Sequence, residues 1–434
     1  MDKLRYLFDA LCRTAEAFPD RPAWLLLDNE ERASSAFLPT AQTSMELGNQ
    51  RPRIITWRET QATVERLAYW LSEQGLREGD RIANLERNSF EWACLDLACA
   101  ALGCIHSPLD TRAGSESIRR SIGLLEPRVV FGCNPSVLDC PTMSLRSAMT
   151  AAVQAPVERL RASWSDRDRS SETATILWTS GTTSQPKGAM LSHSNLLSNA
   201  TAKLDAMPQS ETDLRLNLLP FAHAYARTCE LTTWLLTGGT MACVGSVREF
   251  LDVAPRIQPT LINSVPSMIE AFLVPRDRES IVSPKGSSGE NCDDLLAILG
   301  GSVRRLASGG AGISASTREL FANAGLPIYQ GYGLTEASPV VCSNRVTSEN
   351  QPMLEGVGPP VEGVEVRIDA ENRLWVRGCG VMQGYWRDPE GTERRMREGW
   401  LDTGDCVVPG SEIERGLRIA GRSDDLQILS NGFK

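Results

Sequence analysis

Short apolar runs alternate with helical stripes along most of the chain. Residues 1–28 read as a short helix and then an extended run, Arg21-Pro22-Ala23-Trp24-Leu25-Leu26-Leu27. Residues 29–53 are polar and mixed and predict a surface loop. From Thr60 the period becomes helical: Val64, Leu67, Ala68 and Leu71 share one face, and Gly75 stands where a C-cap belongs. Gly79 to Leu85 predicts a turn and a strand, 90–103 a buried helix, and Pro127 to Phe131 another strand. Further on, Ala174 to Trp178 reads as a buried parallel strand, Leu191 to Leu204 as a helix and Leu216 to Leu219 as a strand. Glu230 to Leu236 then predicts a helix and Pro259 to Val265 a strand. A last α/β run has a strand at Arg305–Ser308, a helix over 315–324 and a strand at Ile328–Gln330. Apolar strands alternating with helices predict parallel sheets covered on both faces.

Past residue 350 the rhythm changes. Val364-Glu365-Val366-Arg367-Ile368 and Leu374-Trp375-Val376 are short alternating runs that predict a small antiparallel sheet or barrel. Residues 162–172 form a charged linker, and the polar, Ser/Gly-rich stretch 276–293 predicts an exposed loop.

Composition narrows the class. With 434 residues the chain exceeds one simple core, and 41% apolar with 23% charged residues is ordinary for a soluble protein. A net charge of −9 and the lack of a basic tract disfavour nucleic-acid binding. The first residues lack the apolar core of a secretory signal, and the apolar segment Trp92–Ile105 is too short to span a bilayer and carries Asp96. Peripheral membrane contact stays open. The twelve cysteines include no C-x-x-C pair, and only three histidines are present, which disfavours a zinc site. The reducing cytoplasm is the simplest home.

Several stretches carry chemistry. After the Ala174–Trp178 run come Thr179-Ser180-Gly181-Thr182-Thr183 and then Pro186-Lys187-Gly188. Such a loop can turn N–H groups and hydroxyls toward phosphate oxygens, with the lysine adding charge. Its spacing is not that of the Walker loop, and by itself it equally describes a solvated turn. Tyr329-Gln330-Gly331-Tyr332-Gly333-Leu334-Thr335-Glu336 ends a strand in an aromatic, a hydroxyl and a carboxylate, where parallel sheets bind ligands. A packed tyrosine at a strand-end turn is the plain alternative. Asp405 closes a predicted turn and suits ribose hydroxyls, or merely caps the turn. His223 and Arg227 follow the Leu216–Leu219 strand; the bland readings are a satisfied histidine and an Arg227–Glu230 pair on a helix.

The order of these runs resembles the adenylate-forming superfamily of acyl-CoA synthetases, nonribosomal peptide synthetase adenylation domains and beetle luciferases. The resemblance covers almost the whole chain. It includes the loop at 179–188, Leu219-Pro220-x-x-His223, Gly309-Gly310-Ala311, Tyr332-Gly333-Leu334-Thr335-Glu336 and glycines at 356–360. Val381-Met382-x-Gly384-Tyr385-Trp386, Thr403-Gly404-Asp405 and Gly421-Arg422-x-x-Asp425 complete it.

The resemblance implies two doubly wound, mostly parallel sheets with flanking helices and a small distorted antiparallel β-barrel. Residues 1–421 would form the large domain, with two α/β subdomains to about 345 and the barrel-like part over 346–421. It implies ATP-dependent activation of a carboxylic acid to acyl-AMP, with Mg2+, then transfer to coenzyme A.

By the same resemblance Thr179, Ser180, Gly181, Thr182, Thr183 and Lys187 would cradle the β and γ phosphates. Thr335 would contact the α-phosphate and Glu336 the Mg2+. Gly309, Gly310, Ala311 and Tyr332 would form the adenine slot, with Tyr332 stacking on the base, and Gln330, Gly331 and Gly333 would also bind ATP or AMP. Asp405 and Arg422 would hold the ribose. His223, Lys187, Thr335 and Glu336 would be the catalytic set, and His223, Tyr225 and Arg227 would line the acyl pocket.

Amino-acid-activating relatives carry a Phe-Asp-x-Ser run that this chain lacks. Leu-Pro-x-x-His-x-x-x-Arg over 219–227 is instead similar to long-chain fatty acyl-CoA synthetases, pointing to a medium or long aliphatic acid, with aryl acids left open. Two departures matter. Asp424 stands where relatives have lysine before the hinge aspartate, Asp425, and residues 422–434 would be the hinge and the start of a C-terminal lid. Without the lid, slow adenylation and little thioester formation are expected. An acyl-AMP ligase serving an acyl carrier protein, a non-catalytic acyl- or nucleotide-binding module and a luciferase-like oxidation are the alternatives.

Overall fold

The computed structural model describes residues 4–27, 52–132, 140–155, 167–179, 185–273, 295–347, 349 and 351–423. The expected loops at 29–53 and 276–293, the loop residues 180–184 and the hinge residue Asp425 lie wholly or mostly outside them.

Two large sheets form the core. The eight-stranded sheet runs Val340–Ser343, Ile328–Gly333, Arg305–Ser308, Leu261–Ser264, Leu214–Asn217, Thr240–Cys243, Pro22–Leu26, Arg53–Thr56. Its inner pairings are parallel, and only the outermost pairing at each end is antiparallel. The seven-stranded sheet runs Gly384–Tyr385, Lys187–Ser192, Thr173–Thr179, Ile105–Pro108, Arg81–Asn84, Val129–Phe131, Thr142–Met143. From Thr173–Thr179 to Thr142–Met143 its pairings are parallel.

Local sequence explains the main helices. Trp57–Glu73 starts in a capping box, with Thr56 accepting from the Glu59 N–H and Glu59 accepting in return from the Thr56 N–H, and it buries Val64, Leu67, Ala68 and Leu71. Gly75 follows it at φ 88°. Phe90–Leu102 is capped by Ser89, ends at Gly103 in the left-handed region, and is buried on every side. It touches both sheets: Phe90 packs edge-on to Trp24 of the larger, and Trp92 packs on His106 of the smaller. A helix apolar all round belongs in such a position.

Three expectations change. The Thr173–Thr179 strand is parallel to Ile105–Pro108 but pairs antiparallel with Lys187–Ser192, from Thr173 opposite Ser192 to Thr179 opposite Lys187. The strands before and after the hydroxyl-rich run therefore form an antiparallel hairpin pair, and the helix starts later, at His193–Ala206. Gly188 is required there because a Cβ would lie 2.7 Å from Ile176 Cγ2 on the facing strand. Next, Val364–Ile368, Arg373–Gly378, Trp400–Val407, Met396–Arg397 and Ile419–Arg422 form an antiparallel sheet whose order does not close on itself, so among the described residues it is an open sheet and not a barrel. Finally, Asp405 sits inside the Trp400–Val407 strand, paired with Arg422, and does not close a turn.

Candidate active site

Parallel strands of both sheets deliver their carboxyl ends to one crevice. Leu85–Asn88 follow Arg81–Asn84, and Leu109–Arg112 follow Ile105–Pro108. From the larger sheet come Leu218–Pro220, Ala222–Ala226, Val244–Val247, Val265, Gly309–Gly310 and Gly331–Thr335. Together they line a cavity of about 1570 Å³. Asn88 joins the two sides: its Nδ2 donates to the Leu219 carbonyl at 2.7 Å, and its Oδ1 accepts from the Phe221 N–H at 2.9 Å.

His223 also spans the gap. Its side chain is half exposed, and Nε2 stands 2.9 Å from Asp110 Oδ2. Arg112 grips the same carboxylate through Nε and Nη2, both at 3.1 Å. Burial pushes the Asp110 carboxyl up, but the hydrogen bonds from Arg112 and His223 outweigh it and hold it at about 2. A permanent carboxylate thus orients the histidine across the cavity mouth.

The glycine-flanked strand end forms the next wall. A Cβ on Gly309 would meet the Tyr225 ring at 3.3 Å, and Gly310 is held at φ 85°. Bare backbone at Gly309 lets the Tyr225 ring come this close, and at Gly310 only Val265, at 3.9 Å, stands near the Cβ position. Tyr332 donates through Oη to Asp405 Oδ2 at 2.6 Å, and Arg422 Nη1 reaches Asp405 Oδ1 at 3.3 Å. Burial, reinforced by Asp405, drives the Tyr332 phenol well above its ordinary range, so it stays a donor.

Thr335 lines the cavity, whereas Glu336 is buried behind it. Tyr385 donates to Glu336 Oε1 at 2.7 Å, and Lys187 Nζ lies 5.0 Å from the Tyr385 ring centroid. The lysine of the hairpin and the carboxylate after the strand end, far apart in sequence, are joined through one tyrosine ring.

Of the residues singled out by sequence, His223, Tyr225, Gly309, Gly310, Gly331, Tyr332, Gly333 and Thr335 line the cavity. Asp405 and Arg422 adjoin it through Tyr332. Thr179 and Lys187 stand at the ends of the hairpin strands, and Ser180, Gly181, Thr182 and Thr183 lie outside the described residues. Ala311 is exposed, and Gln330 is buried with its N–H donating to Asn344 Oδ1; neither lines the cavity.

Arg227 requires a correction. It does not line the acyl pocket and does not pair with Glu230. It is 1% exposed, and its Nη2 donates to Asp96 Oδ2 at 2.7 Å, while Asp96 Oδ1 lies 2.8 Å from His106 Nδ1. The reason is local. Arg227–Thr232 is a π-helical segment that turns the guanidinium back toward the helix Phe90–Leu102.

Sequence reading passed over Asp110, Arg112, Asn88 and Lys203, all in the cavity lining. Asp110 had a readable signal, since it falls two residues after a strand end. Tyr385 stood within a quoted run, but nothing local marks its bond to Glu336.

Parallel strands converging on a glycine-edged crevice define the class first: an α/β enzyme that binds a nucleotide beyond its strand ends. Residues 14–386 match the family model for the AMP-binding enzyme, and the chain belongs to that family, the adenylate-forming enzymes. It is 28% identical over 432 residues to a long-chain-fatty-acid–CoA ligase of Mycobacterium bovis, covering 87% of this chain and 71% of that protein. It is also 28% identical over 404 residues to a feruloyl-CoA synthase of an Amycolatopsis species, covering 87% of this chain and 75% of that protein. Among solved structures, apo MatB from Rhodopseudomonas palustris is similar with a TM-score of 0.76 and 26% identity, over 98% of this chain and 80% of that one. The O-succinylbenzoate coenzyme A synthetase of Bacillus subtilis with AMP shares the fold at a TM-score of 0.76 and 22% identity, over 96% of this chain and 79% of that one.

The chain is thus an adenylate-forming acid–thiol ligase, a class that uses ATP, Mg2+ and coenzyme A. The residues fit these groups. The side-chain-free backbone at Gly309–Gly310, in the cavity wall with Tyr332, would accept a planar base, and Asp405, which Tyr332 holds, would offer its carboxylate to the ribose. Mg2+ typically takes one or two carboxylates and completes its shell with phosphate oxygens and water, which suits the single carboxylate of Glu336 behind Thr335. No helix among the described residues is long and apolar enough to cross a membrane.

Proposed function

We propose that this chain joins a medium- or long-chain aliphatic carboxylic acid to AMP, releases pyrophosphate, and passes the acyl group to coenzyme A. One observation carries the reading. The crevice, at about 1570 Å³, exceeds the roughly 300–1,000 Å³ of a pocket for one small ligand. It has room for nucleotide and acid together. Its lining is mixed, with Leu109, Val265, Met268 and Val340 beside Thr335 and His223. The relative matched over the longer stretch, 432 residues at 28% identity, is a long-chain-fatty-acid–CoA ligase, which supports an aliphatic acid. The feruloyl-CoA synthase at the same identity over 404 residues makes an aryl acid the second reading.

In this reading the acid carboxylate attacks the α-phosphate in line, and catalysis is positioning with charge neutralisation. Thr335 would donate to the α-phosphate. Lys187, Thr179 and the hydroxyls of Ser180, Thr182 and Thr183 would hold the departing pyrophosphate. Mg2+, held by Glu336, would neutralise phosphate charge. Tyr332 and Asp405 would fix the nucleoside. His223, oriented by Asp110 and Arg112, would hold the reacting carboxylate at the mouth.

A second acceptor has one supporting observation. A long-chain-fatty-acid–[acyl-carrier-protein] ligase of Arabidopsis thaliana is 25% identical over 495 residues. Thioester analysis of the full-length protein with a series of acids, offering coenzyme A and an acyl carrier protein side by side, tests the reading. Acyl-CoA made from C8–C18 acids is expected; thioester on the carrier protein alone would replace the acceptor, and thioester only from aryl acids would overturn the substrate class.

A further inference from the structure

One polar group in the cavity wall has no part in the steps above. Lys203, on the helix His193–Ala206, lines the cavity and is only 3% exposed. Its Nζ donates to Ser343 Oγ and to Met207 Sδ, both at 3.0 Å. Neither acceptor is an anion, and no ion pair to Lys203 occurs among the described residues. The Ser343 hydroxyl directs its own proton to the Asn344 carbonyl at 2.7 Å, so toward the lysine it only accepts.

The surroundings are apolar. Ala202 and Ala206 of the same helix pack with Cys229, Val340 and Val361. Burial pushes the lysine pKa down. The nearby Cys229 thiol is itself pushed by burial to about 12, so it brings no negative charge. As a structural device this is a poor choice. A thioether is a weak acceptor, and a buried ammonium without an anion is costly, whereas methionine would fill the same space. An ammonium has three N–H donors, and two are engaged here. Cys229, which interacts with Lys203, Val340, which packs with Ala202 and Ala206, and Ala307, which packs with Met207, also line the cavity.

We propose that Lys203 selects the distal end of the acid, so that the substrate is an aliphatic acid whose tail carries a second carboxylate. This rests on the acid-activating reading above and narrows it. The reacting carboxylate goes to Thr335 and His223, the methylene chain covers Val340 and Ala307, and the far carboxylate pairs with Nζ.

The test is pyrophosphate exchange with pairs of mono- and α,ω-dicarboxylic acids of equal carbon number, using the wild type, Lys203→Met and Lys203→Arg, all checked by thermal melting. The wild type is expected to favour the dicarboxylic partner by at least about tenfold in kcat/KM, as for a charged hydrogen bond. Lys203→Met should abolish the preference and Lys203→Arg should keep part of it. A wild type that favours the monocarboxylic acids, or a Lys203→Met variant with an unchanged ratio, overturns the proposal; if Lys203→Met does not fold, the wild-type ratio decides. Should no acid of either kind support exchange, the acid-activating reading itself fails. Calorimetric binding of the dicarboxylic acid to wild type and to Lys203→Met then decides the lysine's role: weaker binding to the variant supports it, equal binding overturns it.

Discussion

Tyr332 and Asp405 show what a residue can do once its neighbours are set. Burial keeps the phenol protonated, so it donates to a carboxylate that Arg422 also holds. Asp405 therefore has a fixed orientation beside Tyr332, and in the proposed reading it would meet the ribose without rearranging. Asp405→Asn should raise the ATP dissociation constant by roughly 10- to 100-fold, the scale of a charged hydrogen bond. Equilibrium titration checks this, and unchanged ATP affinity would remove Asp405 from the site.

Glu230 makes a second residue-scale case. Burial raises its carboxyl from 4.5 to about 7, against the opposing pull of Arg215 and the hydrogen bond to Asn263. The folded state then holds its proton where the unfolded chain has released it. Its contribution to stability is present in full below about 4.5 and is lost as pH rises through about 7. Glu230→Gln should flatten that decline in urea-midpoint measurements across the same range; an unchanged slope would assign the decline to other groups.

At the scale of elements, the helix Phe90–Leu102, the strand Ile105–Pro108 and the π-helical segment Arg227–Thr232 are tied by one buried cluster. Asp96 accepts from Arg227 at 2.7 Å, contacts His106 at 2.8 Å, and His106 in turn meets Asn84 at 3.2 Å. Burial raises the Asp96 carboxyl, but Arg227 and His106 together hold it below its ordinary value. Removing one partner strands a buried charge, at roughly 3–5 kcal/mol. Asp96→Ala should lose about that much in chemical denaturation, and adding Arg227→Met should recover part of it. A double variant no more stable than the single one would show that the arginine is content alone.

Elements also show what could be read from the chain and what could not. Phe90–Leu102 was legible because thirteen successive positions lack a polar stripe and Gly103 ends the run. The strand Lys187–Ser192 was not. Its burial runs intermediate, buried, buried, intermediate, buried, buried, which is neither a strand alternation nor a helix stripe, and it flows directly into His193–Ala206. Asp405 looked like a turn because Gly404 precedes it, yet that glycine is held at φ 71° inside a continuous strand. The site motifs were legible where they are contiguous, as at Tyr332–Glu336. Pairings between distant positions were not: Tyr332 and Asp405 are 73 residues apart, and Arg227 and Asp96 131. Spacing carries no information on such contacts, which is why Arg227 was misplaced in the pocket and Lys203 was passed over.

For the whole molecule, the central fact is that two mostly parallel sheets point their strand ends at one crevice, bridged by Asn88 and by the His223–Asp110 pair. Nucleotide and acid can meet there only if both bind together. Lys187 lies over the Tyr385 ring, and Tyr385 donates to the strand-end carboxylate Glu336, so in the proposed reading the pyrophosphate end would be coupled to Glu336 through that tyrosine. Lys187→Ala should therefore lower the rate of exchange by at least about tenfold, with a smaller effect on nucleotide binding, as a rate-against-affinity comparison would show. Equal losses in both would make it a binding lysine only. The central claim is tested most directly by acid-dependent ATP–pyrophosphate exchange. The protein should return labelled pyrophosphate into ATP only when ATP, Mg2+ and an aliphatic acid are all present, with acyl-AMP bound to the protein. Exchange that does not depend on the acid, or its absence with every acid in a broad panel although ATP binds, would contradict the account.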